Sequence, residues 1–104
     1  MTSVRVELAR FVDDWQPGFV ECELVDATGR RWIFCEKAPI VSSAALDSKS
    51  SYPTPGLIAC TVLADFRGTA GRRPLRISTD EPWHVEATDG STIFEVLAEQ
   101  VEGW

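Results

Sequence analysis

The single histidine is the one side chain in this sequence whose ordinary pKa suits it to acid or base catalysis near neutral pH. His84 follows Trp83, and a two-residue turn at Asp89-Gly90 would place it across a hairpin from Glu95. The carboxylate could orient the imidazole and raise its pKa, as in the catalytic pair of a hydrolase or isomerase. The sequence has no Gly-x-Ser-x-Gly nucleophile motif, so an exposed cross-strand pair is the favoured interpretation.

The 3 cysteines and the 1 histidine together equal the number of ligands in a structural zinc site. A two-residue turn at Thr28-Gly29 would place Cys22 opposite Cys35, whereas a turn with a glycine bulge would place Cys22 opposite Phe34. Neither these cysteines nor Cys60 has the C-x-x-C spacing of a zinc knuckle. The sequence therefore predicts buried thiols, with no metal and no cofactor.

The 4 tryptophans could form contacts with a partner, since they are many for 104 residues. Trp32 lies in a predicted strand and is expected in the core, whereas tryptophans in a turn or beside charged residues are typical of an interface. The alternative is that exposed rings stack on bases while the arginines between residues 67 and 76 contact phosphates. The candidate binding residues are Trp15, Tyr52, Trp83, His84, Glu95 and Trp104.

The charge balance argues against polyanionic partners. The net charge is -6, and residues 80–104 contain no lysine or arginine. Nucleic acid and anionic membranes repel such a chain at long range. There is no apolar stretch of bilayer-spanning length and no basic, apolar leader at the N-terminus, so a cytoplasmic location is expected.

Two stretches of the sequence have the pattern of a β-hairpin and could position the candidate residues named above. In residues 20–34 and again in residues 83–96, alternating apolar and polar residues meet a short glycine-containing turn and continue into aromatic and β-branched residues. Before them, Val4, Val6 and Leu8 alternate, but Phe11 lies on the opposite parity. This change predicts a β-bulge.

The remaining segments predict further strands and one long loop. Residues 31–37 carry apolar residues on both parities, which favours a central strand covered on both faces, and residues 57–63 predict a buried strand. Residues 44–47 could form one helical turn, and residues 95–101 favour a short C-terminal helix. The loop 42–56 is a candidate binding element through Tyr52, which could equally fold back onto the core.

Short strands and turns without a strand-helix-strand pattern predict an all-β fold built from antiparallel pairs. We expect residues 1–104 to form one domain, most simply a small barrel or roll of OB-like or SH3-like layout, with a small sandwich as the alternative. One short helical turn after the third strand and a short C-terminal helix complete this prediction.

Three segments carry a family resemblance: residues 20–26, 52–60 and 82–96. They resemble a family of small uncharacterised bacterial proteins. The resemblance implies a bacterial domain that stands alone, and it brings no catalytic residues.

Together, these observations predict a non-enzymatic protein that binds another protein, as an immunity-like or regulatory factor, and that could form a homodimer through an edge strand. Single-stranded nucleic-acid binding on an OB-like face is the first alternative. A small hydrolase or isomerase that uses His84 is the second.

Overall fold

Eight strands and two short helices make up the described part of the chain, which in this computed structural model is residues 1–13, 18–66 and 73–104. The strands are β1 Ser3–Asp13, β2 Phe19–Val25, β3 Arg31–Lys37, β4 Thr54–Ala59, β5 Thr61–Asp65, β6 Pro74–Ser78, β7 Ile93–Leu97 and β8 Val101–Glu102. Helix α1 spans Ala38–Val41, and a 3-10 turn spans Ala98–Gln100.

The strands form two antiparallel sheets, which confirms the all-β prediction. The larger sheet has the order β3-β2-β1-β4, with β8 also paired to β1, and the smaller sheet has the order β5-β6-β7. Within the described ranges, β3 pairs with β2 alone and β4 with β1 alone, so the larger sheet stays open. The closed barrel is therefore wrong. At Cys60 the chain leaves β4 and begins β5 in the smaller sheet.

The first hairpin is confirmed, with the glycine-bulge register. Cys22 lies opposite Phe34, not opposite Cys35. In the turn, Gly29 takes a φ of +88°, a conformation that glycine adopts without steric cost. Asp26 Oδ1 accepts hydrogen bonds from the backbone N–H groups of Thr28 and Arg30 at 2.8 and 3.0 Å.

Asp26 also anchors a partly buried tryptophan. The indole Nε1–H of Trp32 donates to Asp26 Oδ2 at 2.9 Å. Partial burial raises the pKa of the Asp26 carboxyl, but the hydrogen bonds from Trp32, Thr28 and Arg30 outweigh burial and lower it below its usual range. The ionised carboxylate therefore organises this turn at neutral pH.

The predicted irregularity in β1 is also confirmed. The register of β1 against β2 shifts between Leu8 and Arg10. Phe11 consequently packs against the core from the opposite parity to Leu8.

The first arm of the second predicted hairpin is wrong. Residues 84–87 form no strand, and β7 pairs with β6 instead. The backbone N–H of Val85 donates to the Thr79 carbonyl at 2.9 Å, and that of Thr88 donates to the Ile33 carbonyl at 2.8 Å. These bonds carry the segment from the smaller sheet to the larger one, and its local pairing is limited to the turn, where the Ala87 N–H donates to the Ser91 carbonyl at 2.9 Å.

Four other predicted elements differ in place, surroundings or extent. Strand β3 is an edge strand rather than a central one, which leaves Cys35 exposed. The apolar run 57–63 is divided at Cys60 between the two sheets. The helical turn after the third strand is confirmed, but it occupies Ala38–Val41 rather than residues 44–47. The predicted C-terminal helix is reduced to the 3-10 turn between β7 and β8.

One hydrophobic core is shared by both sheets. Phe34 on β3 is fully buried, and its ring meets that of Phe94 on β7 edge to face, with centroids 5.5 Å apart. Trp32 adds a second edge contact to Phe94 at 5.0 Å. The aromatic cluster therefore joins the larger sheet to the smaller one.

Candidate functional site

An open apolar cleft of about 430 Å³ lies among helix α1, strand β4 and the segment that carries Trp83. We call it the Trp83 cleft. Its main apolar lining is formed by Ile40, Val41, Pro55, Leu57, Ala59 and Trp83. A smaller cleft of about 260 Å³ continues from it and shares Arg5 and Pro55 with it.

Three large apolar side chains that line this cleft are exposed to water, one of which is Met1. The side chain of Trp83 is 55% exposed and that of Leu57 is 39% exposed. A single exposed apolar residue is ordinary, but two that line one concave surface with Ile40 and Pro55 form a patch that a ligand can bury.

Strand β4 positions one wall of the cleft because its residues alternate between two faces. Ile58 points into the core and is fully buried, whereas its neighbour Leu57 points outward. Gly56 allows close approach to α1, since an ideal Cβ at this position would lie 3.0 Å from the Val41 carbonyl oxygen and 2.6 Å from Leu8 Cδ2. The absence of a side chain at residue 56 therefore lets α1 border the cleft.

The charged groups of the two clefts are mostly acidic. Arg5 pairs with Glu102 at 3.5 Å on the rim of the Trp83 cleft. Glu7 lines the smaller cleft and has no ion-pair partner among the described residues. Trp83 itself follows Asp80 and Glu81 in the chain, so the rim has an excess of negative charge.

His84 lies beside the cleft residue Trp83 in a strained backbone conformation. Its φ is +50°, in the left-handed region that favours glycine and asparagine. Nδ1 contacts the Asp80 carboxylate, and Nε2 lies 3.5 Å from Glu86 Oε2. The hydrogen bond and charge of Asp80, with a smaller contribution from Glu86, raise the pKa of the imidazole above its usual 6.5. His84 does not face Glu95, so that predicted pair is wrong.

The His84 contacts predict a pH-dependent contribution to stability. Because the folded-state pKa is raised, the contribution is fully present below the usual pKa and is lost as the pH rises through the folded value. Relative to H84N, which tolerates a positive φ, the wild-type protein should gain more in urea midpoint at about pH 5.5 than at about pH 8.5. An NMR titration should place the His84 midpoint above 6.5. A midpoint at or below that value would contradict the two-carboxylate contact.

The other candidate binding residues that the structure describes do not line the cleft. Tyr52 packs against the core, and its hydroxyl donates to the Asp47 carbonyl at 2.8 Å. Glu95 pairs with Arg76 at 3.0 Å on the smaller sheet. The Trp104 ring is 53% exposed, and the guanidinium of Arg73 lies 4.8 Å from its centroid. Trp15 lies outside the described residues.

The described arginines of the 67–76 group are occupied by carboxylates. Arg73 forms two hydrogen bonds with Asp65, at 3.1 and 2.6 Å, and Arg76 pairs with Glu95. Arg67 and Arg72 lie outside the described residues. This pairing of Arg73 and Arg76 weakens the case for a phosphate-binding surface.

The three cysteines are separate free thiols. Burial, with the nearby Glu36 carboxylate adding to it, raises the pKa of the Cys22 thiol to about 12. Burial raises that of Cys60 to about 11. Both therefore stay protonated at neutral pH and pack as small apolar groups. No group of three or more potential metal ligands occurs within the described ranges. Nor does any helix there have the length and apolar character needed to cross a membrane.

Sequence reasoning located Trp83 but missed the β4 wall of its cleft. A signal was present, because Pro53 and Pro55 bracket the start of a strand, and proline within a strand is typical of an edge. Leu57 lies on the opposite parity to the core residue Ile58, which also indicated a second apolar face.

Comparisons with known protein families, curated proteins and solved structures found no match to this chain. This outcome is consistent with the resemblance to uncharacterised bacterial proteins, since neither brings a known activity to the site.

Proposed function

We propose that this protein is a non-enzymatic binding protein that holds a segment of another polypeptide in the Trp83 cleft. The observation that carries the proposal is the exposure of Trp83 and Leu57 on one concave apolar surface. Tryptophan in a pocket rimmed by polar groups is characteristic of the residues that dominate binding energy at protein interfaces.

A regulatory or immunity-like role fits this proposal, because such proteins act by occupying a partner rather than by chemistry. The arrangement around His84 supports the same view, since both of its ring nitrogens contact carboxylates and the side chain is exposed. A cytoplasmic setting fits the three free thiols.

Selection from a phage library of random peptides of about ten residues, with the wild-type protein immobilised, would test this function. Peptides should be enriched, and W83A should weaken their binding by about thirtyfold, the loss typical of a dominant interface tryptophan. Affinities would be measured by calorimetry on the selected synthetic peptides.

W104A is the matched control, because Trp104 is exposed to nearly the same degree but lies outside the cleft. It should leave peptide affinity within about twofold of wild type. Failure to enrich any peptide, or equal losses for W83A and W104A, would refute binding in the cleft.

A further inference from the structure

Strand β4 borders the Trp83 cleft with one edge unpaired. In the described part of the chain, β1 is the only strand that pairs with it. An edge strand presents a row of backbone donors and acceptors that a second extended chain can satisfy. Which groups β4 presents can be worked out from its register.

The register fixes the direction of each backbone group on β4. Cys60 N–H donates to the Thr2 carbonyl at 3.0 Å, so this pair is hydrogen-bonded. Antiparallel pairs alternate between bonded and non-bonded, and the next pairs in the register are Ser3 with Ala59 and, two residues on, Arg5 with Leu57. Both belong to the non-bonded class.

The N–H and C=O groups of Leu57 and Ala59 therefore point away from β1, toward the free edge. Pro55 has the same orientation, but it offers only its carbonyl because proline has no N–H. Pro55 and Leu57 are exposed and line the Trp83 cleft, so their outward groups are available to a ligand that also makes apolar contacts there, whereas Ala59 is only 5% exposed.

The charges at the two clefts indicate the composition of that ligand. Arg5, the cation that lines both clefts, is already paired with Glu102, whereas Glu7 has no ion-pair partner in the described ranges. Glu81 adds negative charge next to Trp83. The Asp80 and Glu86 carboxylates there outnumber the single imidazole, His84, that they contact. A second copy of this chain, with a net charge of -6, would be repelled, whereas a segment that carries lysine or arginine would be attracted.

We propose that the segment bound in the Trp83 cleft is an extended strand with alternating apolar side chains and at least one basic residue, and that it pairs with β4 through the N–H and C=O groups of Leu57 and the carbonyl of Pro55. This inference rests on the proposed function. It adds that the backbone of β4 forms the main contacts with the bound segment. It also adds that a positive charge on that segment determines which segments bind.

Two substitutions of Leu57 distinguish the contribution of its backbone N–H to peptide binding from the contribution of its side chain. L57P removes the outward N–H but no hydrogen bond to β1, whereas L57A keeps the N–H and shortens the side chain. For the peptides selected on the wild-type protein, L57P should weaken binding about tenfold more than L57A does. Equal losses would overturn strand pairing while leaving binding in the cleft intact.

Amide hydrogen exchange of the wild-type protein tests the same inference without a variant. With selected peptide bound, the Leu57 amide should exchange at least about tenfold more slowly. Unchanged exchange would overturn strand pairing, as would enriched peptides without period-two alternation. If this amide becomes more protected as the protein concentration rises without peptide, the free edge of β4 pairs with a second copy of this chain, which would overturn the proposal. An enriched set without lysine or arginine would overturn the charge assignment.

Discussion

Replacement of Phe34 by alanine should destabilise the fold by about 3–5 kcal/mol, the cost of truncating a fully buried phenylalanine. This is a large share of the total stability of about 5–15 kcal/mol expected for a single domain. The cost should lie toward the upper end because the ring of Phe34 meets Phe94 across the junction of the two sheets. The resulting cavity would remove the contact between Phe94 and the larger sheet that Phe34 provides.

Urea unfolding followed by tryptophan fluorescence and by circular dichroism would measure this change. V25A provides the control, because Val25 is exposed at the end of β2, and its truncation should change the stability by less than about 0.5 kcal/mol. A loss of less than about 1 kcal/mol for F34A would mean that the sheets do not depend on the shared aromatic cluster.

Replacement of Gly56 by alanine should cost about 1–3 kcal/mol, because the added methyl group would overlap atoms on two sides. An ideal Cβ would lie 2.6 Å from Leu8 Cδ2, and Leu8 is fully buried, so its side chain has little room to move. The Val41 carbonyl, 3.0 Å away, belongs to the backbone of α1. Relief of the overlap would therefore shift α1 and change the Trp83 cleft.

G29A is the matched control for this substitution. Gly29 has a φ of +88°, but a Cβ there would meet nothing within 4 Å. G29A should thus lose stability through backbone strain alone and leave the NMR signals of residues 38–41 unchanged, whereas G56A should move them. Wild-type stability for G56A, or unmoved α1 signals, would contradict the close packing of α1 on β4.

Local patterns in the sequence were sufficient to predict those strands that pair with a neighbour in the sequence. The alternation of β2, the glycine at residue 29 and the parity change at Phe11 predicted the first hairpin and the bulge correctly. The arm at residues 84–87 has similar alternation, but Val85 N–H donates to the Thr79 carbonyl, and the next residue, Thr88, donates to the distant Ile33. Long-range bonds of this kind leave no signal in the hydrophobic period of the segment itself.

The candidate site was harder to predict because three distant segments build it. Trp83, Ile40 and Leu57 are each unremarkable apolar residues in their own neighbourhoods, and only the packing of α1 and β4 brings them together. That exposed tryptophans mark a binding surface stays a prediction, and Trp83 and Trp104 lie at different places on the molecule. Composition alone does not distinguish between them.

The pairing of β1 with strands far along the chain has a consequence for the order of folding. Its hairpin with β2 closes a short loop, whereas its ladders with β4 and β8 close much longer ones, and the entropic cost of closure rises with loop length. Such distant pairs form late. Because β4 forms one wall of the Trp83 cleft, we expect the cleft to be completed after the first hairpin has formed.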